Sequence, residues 1–191
     1  MDTLYKNAII FHNLTNKKYD IYAGSKNQAI NIKVVFEPKH FHHIIGLHKL
    51  TDLDIFNASL SKEKMFFKIK DKLITDTDIE KSCFYPDIAD RLKYVSLLEN
   101  IFDTNDFVIR FNKNMAKSSI NADYVITYEI ESAKLHIFLK KYEDSNECYI
   151  RSFFACDKTN DTYTHGQKKY KIIKNIKYID GQEFVLVDKM K

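Results

Sequence analysis

The stretch YVITYEIESAKLHIFLKK (residues 124–141) determines the architecture that we expect for the C-terminal half of the chain. Within it, large apolar side chains recur at every second residue, first from Tyr124 to Ile130 and then from Leu135 to Leu139. A period of two is typical of strands that bury one face. The stretch therefore predicts two β-strands.

The same period continues on both sides of this stretch. Apolar side chains alternate from Phe107 to Phe111, and a further extended run covers Tyr149–Cys156. Near the C-terminus, Tyr170–Ile179 and Gln182–Val187 flank Asp180-Gly181, a pair that strongly favours a two-residue hairpin turn. We therefore expect residues 104–191 to form mainly antiparallel strands.

The first half of the chain, residues 1–103, has mainly the period of a helix. One exception is a predicted hairpin at residues 19–36. Helices are predicted at Leu4–Thr15, from Pro38 onward, at Ser59–Ile74 with Leu73 facing inward, and at Pro86–Phe102 with an apolar stripe from Ile88 to Phe102. This segregation of helices from strands favours an α+β fold, a helical N-terminal half packed on a C-terminal antiparallel β-sheet. We expect one domain over residues 1–191.

The composition excludes several classes of protein. The chain has 191 residues, of which 45% are hydrophobic and 29% charged, as in a folded domain. Only four glycines and two prolines are present, so collagenous and low-complexity chains are excluded. The motifs GxGxxG and GxxxxGK[ST] do not occur, which argues against dinucleotide-binding and P-loop folds.

Charge and targeting features point to a cytoplasmic protein without a membrane partner. The formal net charge of +4 is mild and does not by itself indicate a nucleic-acid-binding protein. Three cysteines without a CxxC pair fit reduced thiols. No segment approaches the ~20 apolar residues of a membrane span, and the N-terminal segment does not resemble a secretory signal.

Four of the seven histidines lie within nine residues, and this is the most unusual feature of the sequence. They are His40, His42, His43 and His48. Histidine titrates near neutral pH, so such a group could carry out acid–base chemistry or contact a phosphate. It could equally consist of one core histidine, His48, and several surface histidines. A metal site is a third interpretation, but no HExxH-like pattern supports it, and we predict neither a metal ligand nor a cofactor.

Two cations accompany this cluster. Lys49 directly follows His48 and could neutralise a phosphate, or it could be an ordinary solvated lysine. Arg91 borders the apolar stripe of its predicted helix, where it could reach a neighbouring sheet and bind a phosphate. A structural ion pair with a carboxylate is the alternative for Arg91.

Three polar residues of the second half are further candidates. Alternation in residues 149–154 places Ser152 on one face with Ile150 and Phe154, so its hydroxyl needs a hydrogen-bond partner or a ligand. Tyr163 and Gln167 lie in a polar segment, where they could orient a base or a phosphate, or could belong to a plain surface loop.

Several short motifs together resemble a phage- and mobile-element-associated branch of the Barnase–EndoU–colicin–RelE-like nuclease superfamily. They are FEPKHFHHIIGLHKLTD (residues 36–52), Asp90-Arg91-Leu92, Asn121-Ala122-Asp123-Tyr124, Arg151-Ser152-Phe153-Phe154 and the spacing Tyr163…Gln167…Tyr170. The resemblance covers most of the chain, and the first motif is the most specific. It implies an N-terminal helical part followed by a four-stranded antiparallel sheet.

The resemblance also implies a metal-independent endoribonuclease without a cofactor. In that chemistry the RNA 2′-OH attacks the adjacent phosphate, and the protein supplies proton transfers and charge stabilisation. Carried onto this chain, the catalytic residues would be His42 or His48 as acid or base, Lys49 and Arg91 for charge, and Ser152 and Gln167 for positioning. His43 and Tyr163 would contact the substrate.

RNA is accordingly the expected partner, and a cognate inhibitor protein is a possible second one. Two other interpretations remain open. The same fold could be a non-catalytic module that binds RNA or protein, or the histidines could serve a metal-dependent hydrolase.

Overall fold

The computed structural model describes residues 2–57, 60–143 and 145–189. Two parts of the predictions lie outside these residues. They are the outermost ends of the predicted single domain and Ser59, the predicted start of one helix. The α-helices are α1 (Thr3–His12), α2 (Phe41–Ile44), α3 (Asp54–Asn57), α4 (Lys62–Lys70), α5 (Asp76–Ile79), α6 (Pro86–Tyr94) and α7 (Leu98–Thr104). Short 3₁₀ turns lie at Pro38–His40, Leu47–Lys49, Val95–Leu97 and Lys158–Asn160.

The strands account for the architecture. They are β1 (Lys17–Ser25), β2 (Gln28–Val35), β3 (Phe107–Arg110), β4 (Tyr124–Glu129), β5 (Lys134–Lys141), β6 (Glu147–Cys156), β7 (Lys169–Ile179) and β8 (Gln182–Asp188). They form one sheet in the order β1-β2-β6-β5-β4-β3-β7-β8, and β1 also pairs with β7. The sheet therefore closes into a barrel from β1 to β7, and β8 is added alongside β7.

This closure corrects the expected α+β fold of a helical half packed on a C-terminal sheet, which is wrong. The N-terminal hairpin β1–β2 does not stand apart from the C-terminal strands. Strand β1 pairs antiparallel with β7 from Lys17↔Ile179 to Gly24↔Lys171, and β2 meets β6. Two long-range pairings thus draw the hairpin into the sheet, and the four-stranded sheet implied by the resemblance becomes part of a barrel.

The closure between β2 and β6 is short. These two strands are parallel and pair only at Lys33↔Glu147 and Val34↔Cys148. Beyond that point β6 continues to pair with β5, while its other side contacts α2 and α6. We call this border of β6, from Tyr149 to Cys156, the seam. The seam brings helices of the first half against the middle of the sheet.

Two hydrophobic clusters fill the molecule. The larger joins the helices to one face of the strands and contains the stripe Ile88, Leu92, Val95, Leu98 and Phe102, as the sequence predicted. The smaller lies on the other face and centres on Phe111, Val125 and Phe138.

Two predicted helices differ from the observed ones. The stripe at Pro86–Phe102 is carried by α6, a 3₁₀ turn and α7, so the chain bends while the apolar face stays buried. Leu73, expected to face inward from a helix reaching Ile74, is 69% exposed because α4 ends at Lys70. No described helix has the length and apolarity needed to cross a membrane.

Candidate active site

Gly46 shapes the segment that carries the histidines. The predicted helix after Pro38 is interrupted, because Gly46 has a φ of +85°, which ends α2 and starts the turn Leu47–Lys49. A Cβ atom at Gly46 would lie 2.7 Å from Cγ2 of Ile88 and 3.0 Å from Cδ of Arg91. Glycine is therefore required both by the backbone and by close contact with α6.

The bend brings three imidazoles together. The ring centroids of His43 and His48 are 4.8 Å apart, and that of His42 lies 5.5 Å from His43 and 6.0 Å from His48. His48 is exposed, which excludes the interpretation as a core histidine. His43 is half-buried, and His42 is buried with its Nδ1 3.2 Å from Sδ of Met65.

These imidazoles favour the neutral form. Burial, followed by the charge of Lys62, lowers the pKa of His43 to about 3. Burial also lowers the pKa of His42 to about 4, with His48 as the next cause. The pKa of His48 is lowered as well, by packing against the cluster and then by the charge of Arg91. At neutral pH the rings can therefore accept protons.

Lys62 completes one side of the cluster. Its Nζ lies 2.7 Å from Nε2 of His43, and because that ring is neutral the ammonium donates the hydrogen bond. Lys62 is at the start of α4 and exposed. In the part of the chain that the structure describes, no carboxylate forms a salt bridge with it. Nothing in the local sequence pattern connects Lys62 to the histidines, so Lys62 was not predicted as a site residue.

Arg91 is buried without a counter-ion. The residue is 6% exposed, and burial lowers the pKa of its guanidinium to about 10. Nη1 donates to the carbonyl oxygens of His43 at 3.2 Å and Ile44 at 3.5 Å. Nε has no hydrogen-bond partner among the described residues, and the guanidinium carbon lies 5.7 Å from the ring centroid of Phe154. Among residues 2–57, 60–143 and 145–189, no carboxylate forms a salt bridge with Arg91. The alternative of a structural ion pair for Arg91 is therefore wrong.

A β-bulge brings a further cation to the seam. Leu139 pairs with Ile150 and Phe138 with Ser152, so Arg151 is the extra residue in β6. The prediction that Ile150, Ser152 and Phe154 share one face is therefore wrong. Ile150 lies in the larger core, whereas Ser152 is half-buried on the other face. Arg151 is exposed, and its charge contributes to the low pKa of His43.

A depression of about 260 Å³ adjoins the cluster. Lys49 and Arg91 line it together with Phe154 and Tyr163. Nζ of Lys49 contacts the backbone oxygen of Asp87 at 3.5 Å, and burial followed by Arg91 lowers the pKa of the lysine. Asp87 and Asp90 also line the depression, so it has both charges on its rim. Tyr163, predicted to contact substrate, thus lies beside the two predicted cations.

Gln167 lies away from this depression. It is 7% exposed, its Oε1 accepts from the backbone N–H of Asn112 at 2.6 Å, and its Nε2 donates to the carbonyl of Tyr163 at 2.5 Å. These bonds connect the loop at Asn112 to the loop at Tyr163. The structure thus gathers His42, His43, His48, Lys49, Arg91 and Tyr163, and it adds Lys62 and Arg151.

His40, the fourth histidine of the segment, has a separate environment. Its ring stacks on Tyr149 with a centroid distance of 4.8 Å, and Nε2 lies 2.9 Å from the hydroxyl of Tyr142. Burial lowers its pKa to about 4. No group of three or more His, Cys, Asp or Glu side chains within the described residues is arranged to hold a metal ion.

The fold and site define a class of protein with clustered imidazoles and cations at the seam of a small β-barrel. A buried guanidinium and neighbouring exposed cations form no salt bridge among the described residues and create an environment suited to an anion, and neutral imidazoles lie beside it.

The family comparison agrees with this class. The family model described as phage-Barnase-EndoU-ColicinE5/D-RelE like nuclease4 matches residues 3–189, and the chain belongs to this family. The resemblance found in the sequence motifs is thereby confirmed. A search of curated proteins and a search of solved structures each gave no match.

Proposed function

We propose that this nuclease-family protein is a metal-independent endoribonuclease and acts as a toxin-like effector of a phage or mobile element. The observation that carries the proposal is the buried Arg91, which has no carboxylate partner in the described chain and lies next to His43 and His48. A cation held in this way costs folding energy, and a bound phosphate would compensate it.

The reaction that fits these groups is transfer within the RNA backbone. The 2′-oxygen attacks the adjacent phosphorus, the bond from phosphorus to the 5′-oxygen breaks, and the products carry a 2′,3′-cyclic phosphate and a 5′-hydroxyl. One proton leaves the 2′-OH, and another is delivered to the 5′-oxygen. Arg91, Lys49 and Lys62 would stabilise the negative charge of the phosphorane.

His43 and His48 are the proposed acid–base pair. Both rings favour the neutral form in the free protein and can accept the proton of the 2′-OH. A phosphate between them would add negative charge, raise the pKa of both rings and allow one to hold the proton for the leaving group. The catalytic role predicted for His42 stays a prediction. Its burial against Met65 suits support of the pair better than contact with RNA.

Tyr163 and Phe154 would contact a base beside the scissile phosphate, since both line the depression next to Arg91. The positioning roles predicted for Ser152 and Gln167 remain proposals. Gln167 would act through the loop that bears Tyr163, because it bonds the Tyr163 carbonyl. A cognate inhibitor protein remains a proposed partner.

Cleavage of RNA in EDTA tests the proposal. Wild-type protein should cut an RNA oligonucleotide and leave a cyclic phosphate, and one with 2′-deoxyribose at the cut position should resist. His43→Ala and His48→Ala should each lower the rate about 10²–10⁴-fold. His12→Ala, at a histidine of α1 outside the cluster, is the matched control and should cleave normally.

Other outcomes assign the site differently. Salt-dependent RNA binding without any cleavage would support the non-catalytic binding module and overturn the enzyme. Activity that disappears in EDTA and returns with a divalent metal would support the metal-dependent hydrolase instead.

A further inference from the structure

Two depressions open side by side on the face of the sheet next to the candidate site. The first, of about 500 Å³, is lined by Lys140, Lys141 and Arg151 together with Tyr142 and Tyr149. The second, of about 400 Å³, is lined by Arg110, Lys113 and Lys168. Asn121 lines both, so the two depressions are neighbours. We call this surface the basic track.

The strand register brings Arg110, Lys140 and Arg151 to nearly the same level of the sheet. Arg110 pairs with Tyr124, Tyr124 with Leu139 and Leu139 with Ile150, so the track crosses β3, β4, β5 and β6 at one level. Three steps between strands of about 4.8 Å make the crossing roughly 14 Å wide. At the β6 end, Tyr149 lines the first depression and stacks on His40, and α2, which carries His43, contacts β6, so the track begins beside the candidate site.

The charge along the track is mostly uncompensated. Six cationic side chains and one carboxylate, that of Glu143, line the two depressions. Lys140 forms a salt bridge with Asp123 at 3.2 Å. Within the ranges that the structure describes, no salt bridge is formed by Arg110, Lys113 or Arg151. The surface therefore concentrates positive charge in a molecule whose net charge is only +4.

We propose that the basic track binds the backbone of single-stranded RNA that leads to or from the scissile phosphate. The inference rests on the proposed function and extends it, since it makes the substrate a strand of several nucleotides. Clustered cations suit the phosphates of an RNA backbone. Tyr142 and Tyr149 lie in the depression nearest the site, where unstacked bases of a single strand can contact aromatic side chains.

Binding of a fluorescent, unstructured RNA oligonucleotide by the full chain tests the track. The measurement uses a His48→Ala background, in which the proposed function makes cleavage at least about 10²-fold slower. Arg110→Glu/Lys113→Glu removes two cations at the far end of the track and should weaken binding at least tenfold. The slope of log affinity against log salt should fall by about 1.4, because each lost phosphate contact contributes about 0.7 for a single strand.

A matched control separates the track from general attraction. Lys6→Glu/Lys68→Glu makes the same charge change at exposed positions of α1 and α4, and it should alter affinity less than twofold. Equal weakening by both double variants would overturn the track, and so would no weakening by either. Arg110→Gln/Lys113→Gln should give an intermediate loss, and thermal unfolding should show that every variant is folded.

The same set of proteins distinguishes this inference from the proposed function. If the wild type never cleaves RNA but Arg110→Glu/Lys113→Glu selectively loses RNA binding, the basic track is supported and the nuclease proposal fails. Normal cleavage of the oligonucleotide by Arg110→Glu/Lys113→Glu would leave the nuclease and overturn the track. Polyglutamate at equal charge concentration tests a different partner. If it displaces RNA from the basic track and does not bind Arg110→Glu/Lys113→Glu, the surface binds an acidic protein instead.

Discussion

Nη1 of Arg91 donates a hydrogen bond of 3.2 Å to the carbonyl oxygen of His43. The buried cation of α6 is therefore tied to the backbone of the residue whose imidazole faces Lys62. This bond joins two segments that are distant in the sequence, and it places a guanidinium at the same point as the acid–base candidates. A change at Arg91 should consequently affect both stability and ligand binding.

Replacement of Arg91 by methionine should separate these two effects. The side chain keeps most of its volume, but it loses both a charge without a counter-ion and the hydrogen bonds to two backbone carbonyls, so the free energy of unfolding should change by less than about 2 kcal/mol. Inorganic phosphate should raise the Tm of the wild type and not that of Arg91→Met. Lys93→Met, an exposed cation of the same helix, should keep the phosphate response. A phosphate response preserved in Arg91→Met would contradict the anion site.

Two glycine substitutions should isolate the contact between Gly46 and α6. Gly46 and Gly181 have nearly equal φ angles of +85° and +84°, but a Cβ at Gly181 meets nothing within 4 Å. Gly181→Ala should cost about 1–2 kcal/mol from backbone strain alone. Gly46→Ala should cost distinctly more and should reduce RNA cleavage, because Ile88 and Arg91 must move. Chemical denaturation gives both values, and equal losses would show that the contact is unimportant.

Stability should fall as the pH decreases from about 6.5 to 4. The pKa of His40 and of His42 is lowered to about 4 from an ordinary value of 6.5, so the unfolded chain binds protons first. Their neutral forms thus contribute stability above pH 6.5 that is lost on acidification. For His42, which is 7% exposed, this amounts to at most about 3 kcal/mol. Thermal unfolding of His42→Leu should show a flatter pH profile in this interval than that of the wild type.

Asp161 should be needed for the loop that carries Tyr163. Its carboxylate forms a salt bridge of 2.7 Å with Lys134, lies 3.0 Å from Nε2 of His136, and accepts from the backbone N–H groups of Tyr163 and Thr164. Asp161→Asn leaves the largely buried Lys134 without this partner and should cost about 3 kcal/mol.

Asp157→Asn is the matched control for this prediction. Asp157 accepts hydrogen bonds from the backbone N–H and the hydroxyl of Thr159 in a short surface turn. Loss of its charge should therefore change the free energy of unfolding little. Urea unfolding of the two variants measures the difference. Similar stability in both would mean that the Asp161 network does not hold the loop.

The sequence predicted the strands well and their closure badly. Alternation located β3 to β8 to within a few residues, and the predicted hairpin at residues 19–36 corresponds to β1 and β2. Periodicity describes which side of one strand is buried, but it does not say which distant strand is the neighbour. The pairing of β1 with β7 and of β2 with β6 therefore had no signal in local patterns.

The candidate site shows a similar division. The histidine segment, Lys49 and Arg91 stood out by residue type, whereas the end of α2 before Gly46 was not predicted. The bulge at Arg151 was not predictable, because one extra residue in β6 leaves no trace in composition and reverses every subsequent side chain. Lys62 was missed because only the packing of α4 brings it to His43.

The seam also bears on synthesis of the chain. The short parallel contact joins Lys33 to Glu147, and Arg151 follows within the same strand. A growing polypeptide that ends before Glu147 has all of its clustered histidines but neither this closure nor Arg151. Pairings between such remote residues form late and slowly. The cation cluster is thus incomplete until Arg151 has been translated.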